Sequence, residues 1–211
     1  MHSHENAGET APGEERPDPP RLAWRKEMRE RVLAAAHELT CAAGWDQVSI
    51  SAVAERAEVS RPSVYKEFGN RAGLGRALVV RETRSFLDGV VDALGPADRH
   101  PRAGLEGAVL FALTEAEHNP LVRAVITAAR RGSDSLLPYL TARTDPVFDA
   151  AQHILRAWLT ERFPACGEED IDVATDLIVR MTISHLVLPT WPPPTAAERL
   201  SRAALRALGE T

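Results

Sequence analysis

Residues 49–79 read SISAVAERAEVSRPSVYKEFGNRAGLGRALV, and this stretch decides the fold. Ile50, Val53, Ala54 and Ala57 recur at helical spacing. Ser49 stands just before them, where a hydroxyl can accept from a free backbone N–H of the first turn. Glu58-Val59-Ser60 then has room only for a turn, and Ser60 can cap a second short helix, RPSVYKEF. Pro62 falls in its first turn, where a missing N–H costs little. Two short helices joined this way form a helix-turn-helix unit, whose later helix enters a DNA major groove. Such a unit needs small or apolar residues where its helices touch, and Ala54, Ala57, Val59, Val64 and Phe68 meet that need. It also needs polar or small residues on the outward edge, and Arg61, Ser63 and Lys66 stand there.

Upstream, Trp24, Met28, Val32, Ala35 and Leu39 mark the apolar face of a supporting helix, with Arg25, Lys26, Arg29 and Glu30 on its other side and Gly44 ending it. Downstream, Asn70 caps a long helix through about Leu94, stopped by Gly95-Pro96. Further helices follow: about 102–118, one from Asn119-Pro120 to Gly132, a broken piece around Pro138, about 145–163 and about 168–188. Thr195-Ala-Ala-Glu198 reads as a capping box opening the last, to about Leu208. No strand alternation appears. The reading is an all-α chain of about nine helices, with a three-helix head over residues 21–69 and a larger helical domain over 70–211. Residues 1–20, rich in Pro, Gly and Glu, read as a disordered tail.

Charge supports a DNA-reading head. The net charge is −5, yet residues 21–84 carry 12 Lys or Arg against 8 Asp or Glu, a local +4. Phosphate neutralisation needs such a patch, and no other segment is basic. Enzyme chemistry finds little footing: no nucleophile–base order, phosphate loop or metal spacing appears, and His37, His100, His118 and His153 are scattered. No metal or cofactor is expected. His2 and His4 read as a solvated pair. Cys41 and Cys166 make no disulfide framework, and Cys41, among alanines near a helix end, reads as structural rather than as a redox switch. Without a signal segment or a bilayer-length apolar run, a soluble cytoplasmic protein with no membrane partner is expected.

The run 49–79, within a match from about Arg21 to Val91, resembles the signature of the tetracycline-repressor (TetR) family. That signature has an I/V-A-x-x-A helix, a G-V-S turn, a reading helix with an L/V-Y-x-x-F core, and an N-capped fourth helix. The resemblance implies a homodimeric transcriptional regulator, usually a repressor, bound to a palindromic double-stranded operator and released by a small hydrophobic effector. It implies that Arg61, Pro62 and Ser63 face base edges and that Tyr65 and Lys66 contact phosphates or bases. Ser49, Ser60 and Arg71 join this DNA-binding set, Ser49 and Arg71 as phosphate contacts. Tyr65 could instead be a packed aromatic, but Val64 and Phe68 already supply the core on that face. Glu58 departs from the signature, which has Gly there. If the turn needs a positive φ, Glu58 is strained by roughly a kcal/mol.

In the larger domain, Ile171, Ala174, Ile178, Met181, His185 and Leu188 step by three and four residues, a packing seam. The last helix is Ala-rich. Ile171, Ala174, Ile178, Met181, Leu200, Ala204 and Leu208 are therefore expected at an intersubunit four-helix bundle. An ordinary intramolecular core gives the same pattern; the dimer is favoured because a reading head needs two half-sites. Phe111, His118, Tyr139, Phe148, His153, Trp158, Met181 and His185 are the candidates for an effector pocket, though each taken alone fits core or surface better than ligand contact. Residues 135–155 and 180–189 also resemble regulators of quorum-quenching, lactone-degrading operons, which implies a lactone or acyl-chain effector. Two other readings stay open: a helical enzyme or binding protein without a DNA role, and a constitutive DNA binder that senses nothing.

Overall fold

The computed structural model describes residues 20–96, 98–122 and 146–209. Among these, every regular element is a helix. In chain order they are α1 (Pro20–Ala43), a 3-10 turn (Trp45–Gln47), α2 (Ile50–Arg56), α3 (Arg61–Phe68), α4 (Arg71–Leu94), α5 (Pro101–His118), α6 (Pro146–Arg162), α7 (Glu168–Val187) and α8 (Pro193–Ala207). Residues 120–122 are also helical. The expected helix through Gly132 and the piece around Pro138 otherwise lie outside the described residues.

Local chemistry sets the boundaries of the head. Ser49 Oγ accepts from Ala52 N at 3.1 Å, Ser60 Oγ from Ser63 N at 3.3 Å, and Asn70 Oδ1 from Gly73 N at 2.8 Å. Each cap satisfies an N–H that the helix leaves unpaired. Gly44 ends α1 at φ 81° and Gly69 ends α3 at φ 75°, values that need no Cβ to be accommodated. The last helix differs from expectation. It opens at Pro193, two residues before the anticipated capping box, with no side-chain cap. Proline at the first helical positions costs no hydrogen bond, so the helix starts there before Thr195 can cap it.

In the head, α1 packs on α2 and α4, and α3 packs on α2 and α4. Val32, Val53 and Val64 are fully buried at its centre. Trp24, expected on the inward face of α1, is exposed, because α1 extends beyond the helices that cover its later turns. In the larger domain, α5 lies between α4 and α8, and α7 packs on both α6 and α8. The α4–α5 approach is close: a Cβ at Gly89 would stand 2.2 Å from the Phe111 ring. Helix α4 thus carries the head at one end and forms a wall of the larger domain at the other.

Candidate nucleic-acid interface and effector cavity

Helix α3 buries Val64 and Phe68 and turns its other side outward. Arg61, Pro62 and Lys66 are exposed, and Ser63 is half-buried. Tyr65 is 52% exposed, so its ring is not core. These residues form one outward edge of α3; Arg61, Pro62 and Ser63 stand in its first turn, the end where free N–H groups favour an anion. Ser49 and Ser60 are exposed at neighbouring helix starts, with their hydroxyls engaged as caps. Ser60 Oγ also lies 2.8 Å from Ser63 Oγ.

Arg71 sits differently from its anticipated phosphate role. Its Nε donates to Val48 O at 2.8 Å, its Nη2 donates to Trp45 O, and its guanidinium lies 4.9 Å from the Trp45 ring centroid. It ties the start of α4 to the loop before α2.

The turn between α2 and α3 holds Glu58 at φ 54°, the left-handed conformation that the family's glycine would accept without strain. Arg31 offsets this: its Nη2 donates to Ala57 O at 2.5 Å and to Glu58 O at 3.1 Å. Sequence reading missed Arg31, because a surface arginine on α1 carries no local sign that it will reach a turn 26 residues away. It also missed Glu67. This nearly buried carboxylate accepts from Arg25 Nε at 2.6 Å and Arg29 Nη1 at 2.9 Å, joining α3 to α1. Burial pushes its carboxyl pKa up, but the two arginine hydrogen bonds and their charges outweigh that and hold it below the ordinary value.

In the larger domain, a cavity of about 70 Å³ opens among α4, α5, α6 and α7. Phe86, Val90, Leu105, Phe148, Ile178 and Leu186 are among its walls. Thr182 brings the one hydroxyl among the described lining residues, and that group already donates to Ile178 O at 2.7 Å. The described wall therefore offers a ligand hydrocarbon and no free side-chain donor.

The structure brings few of the candidate pocket residues together. Phe148 lines the cavity. Phe111 instead packs beside Phe86 with ring centroids 5.9 Å apart. His118 and His153 are exposed, each with Nδ1 near its own helix at Thr114 O and Asp149 O. Trp158 is buried against Gly104 under the Arg162 guanidinium. Met181 is exposed on the outer face of α7. His185 is buried, but its ring stacks on Trp191 and its Nε2 lies 2.9 Å from Trp191 O. Tyr139 lies outside the described residues. Apart from Phe148, the described polar and aromatic candidates proved to be surface groups or struts, while aliphatic residues make most of the wall.

The candidate interface set needs a larger correction. Ile171, Ala174, Ile178, Leu200, Ala204 and Leu208 are all buried within the single chain, where α7 and α8 meet each other and their neighbours. With their side chains spent in the chain's own core, these six leave little surface for a second copy. The three-and-four spacing marked a seam correctly; spacing alone does not say whether one chain or two closes it. Of the seven, Met181 remains open.

A capped two-helix reader on an all-helical body defines a helix-turn-helix transcriptional regulator, and the comparisons agree. Residues 32–78 match the model of bacterial regulatory proteins of the tetR family, and residues 100–206 match that of the bacterial tetracyclin repressor C-terminal domain. The chain belongs to the TetR family. It is 29% identical to the HTH-type transcriptional regulator AlkX of Mycobacterium tuberculosis, over 85% of this chain and 84% of that one. It is 27% identical to the HTH-type transcriptional repressor KstR of the same organism, over 75% of this chain and 82% of that one. Among solved structures, the TetR-family repressor AlkX from Dietzia sp., implicated in biodegradation of n-alkanes, superposes with a TM-score of 0.62 at 26% identity, covering 85% of this chain and 96% of that one. No described helix is long and apolar enough to cross a membrane.

Proposed function

We propose that the chain works as a homodimeric repressor, held on a palindromic operator by α3 and released when an alkyl-chain molecule enters the cavity among α4, α5, α6 and α7. The observation that carries the effector class is the wall: aliphatic and aromatic on every described side, with its one hydroxyl already bonded. A lactone ring finds no donor there, so of the effectors that the quorum-quenching resemblance implies, the acyl chain is the better fit. The AlkX similarity, with its stated n-alkane connection, agrees.

Phe86 and Val90 supply the link to DNA binding, because they line the cavity and belong to α4, whose first turn is tied to the head through Arg71. A ligand larger than the cavity must part α4 from α6 or α7. It shifts DNA affinity only by as much as it prefers the parted arrangement. Two heads then lose register with half-sites roughly 34–36 Å apart.

For the second copy, the available surface is the outer face of α7 and its extension. Val173, Leu177, Met181 and Leu188 fall on one stripe; Met181 is 45% and Leu188 71% exposed. Exposed Ala203 and half-buried Ala207 on α8 allow close approach beside it.

The test is a promoter gel shift with n-alkanes and fatty acids of graded length. Release that strengthens with chain length, and weakens in Ala151→Leu, supports the reading. Release by polar molecules alone, or by none of the series, overturns it.

A further inference from the structure

Cys41, read from the sequence as structural, is exposed. It lies one helical turn beyond His37, so both occupy the same face of α1. Its Sγ is 3.5 Å from His37 Nε2. On the far side of the ring, His37 Nδ1 is 3.1 Å from Glu82 Oε2, off the line of a full hydrogen bond and with no other partner among the described residues. Glu82 is a buried carboxylate on α4, held also by Arg81 Nη1 at 3.0 Å and Asn119 Nδ2 at 3.4 Å. Thiol, imidazole and carboxylate thus stand in sequence, an arrangement suited to moving a proton off sulfur. The DNA-reading edge and the cavity use none of the three.

We propose that Cys41 is a site of covalent capture for soft electrophiles of the α,β-unsaturated carbonyl class, with His37 as the base and Glu82 as the group that positions it. As sulfur bonds to the β-carbon of the electrophile, its proton passes to His37 Nε2. The carbon–carbon π pair moves to the α-carbon, which then takes that proton back from the imidazolium. One S–C bond forms, one π bond is lost, nothing leaves and nothing is oxidised. The tautomer required carries its resting proton on Nδ1, the nitrogen facing Glu82. Burial first, and then the Glu82 charge, push the thiol pKa up, so the sulfur is a protonated thiol at neutral pH and needs such a base.

The site also lies where an adduct would be felt. Asn119, which touches Glu82, accepts from the backbone N–H of Leu121 and Val122, so the chain of contacts runs from α1 of the head through α4 into the larger domain. Capture at Cys41 disturbs that chain and lowers operator affinity.

The probe is N-ethylmaleimide on the full chain, followed by peptide mass mapping over time. Cys166 is the internal control: it is half-buried, with its Sγ directed at Leu208 O. Cys41 should label first, and His37→Gln should slow that labelling roughly a hundredfold while leaving Cys166 unchanged. Circular dichroism confirms that the variant is folded. In parallel, the adduct should weaken promoter binding several-fold in the wild type and leave Cys41→Ser unaffected. An unchanged Cys41 rate in His37→Gln would show mere exposure and overturn the catalytic part. Equal loss of binding in Cys41→Ser, or no loss in either, would overturn the regulatory part.

Discussion

Arg71 holds Trp45: its guanidinium rests over the indole and its Nη2 donates to the same residue's carbonyl. The first turn of α4 is therefore fastened to the loop that leads into α2. A long helix transmits motion to a reading head only if its end is fastened to that head. Trp45 is itself fixed, since a Cβ at Gly75 would come within 2.8 Å of its ring.

Arg71→Ala should lower stability by about 2 kcal/mol, from two lost charged hydrogen bonds and a cation–π contact. The slope of operator affinity against salt should stay as it is, because the guanidinium is spent on the protein. Urea unfolding and salt-dependent anisotropy check the two halves. A slope flatter by about one unit would return Arg71 to the phosphate contacts.

Glu58→Gly should raise stability by about 1 kcal/mol, by relieving the left-handed strain at φ 54°. The backbone carbonyls that Arg31 grips remain in place. Arg31→Ala should lower stability in the same thermal-denaturation assay. Glycine at position 58 should also tighten DNA binding slightly, since it removes an exposed negative charge beside α3.

Glu67 makes the head acid-sensitive. Its folded pKa is depressed, so its contribution is present above the ordinary carboxylate pKa and is lost as pH falls through the folded value. Wild-type stability should drop below the ordinary carboxylate range more steeply than that of Glu67→Gln. Unfolding midpoints measured on both sides of that range decide it. Parallel curves would remove the Arg25–Glu67–Arg29 link from the account.

Much of this was legible in residues 49–79, because caps, turn residues and apolar spacing are local signals and the head is built from short local elements. Ser49, Ser60 and Asn70 cap where their side chains imply. The larger domain was legible as helices but not as surfaces. Ile178 and Leu200 show why: a helix apolar on several faces reports burial without naming its partner. Most of the cavity wall, Phe148 apart, was missed for a related reason. Val90, Leu105 and Leu186 carry no chemistry to mark them, whereas His118 and His153 looked functional and are surface groups.

The proposed interface separates two outcomes. Met181→Glu, on the exposed stripe, should give folded monomers by sedimentation. Ile178→Glu should unfold the domain, because it places an unpaired charge in a buried, apolar position. A Met181→Glu protein that remains dimeric would move the contact elsewhere.

The central claim is that the exposed edge of α3 lies against a duplex, and one titration reaches it most directly. Fluorescence anisotropy of the protein's own promoter, measured from low to high salt for the wild type and Lys66→Ala, should show weaker binding in the variant at low salt. The logarithmic salt slope should be shallower by about one unit, the mark of one lost phosphate contact. Identical affinity and slope would contradict the placement of α3 on DNA.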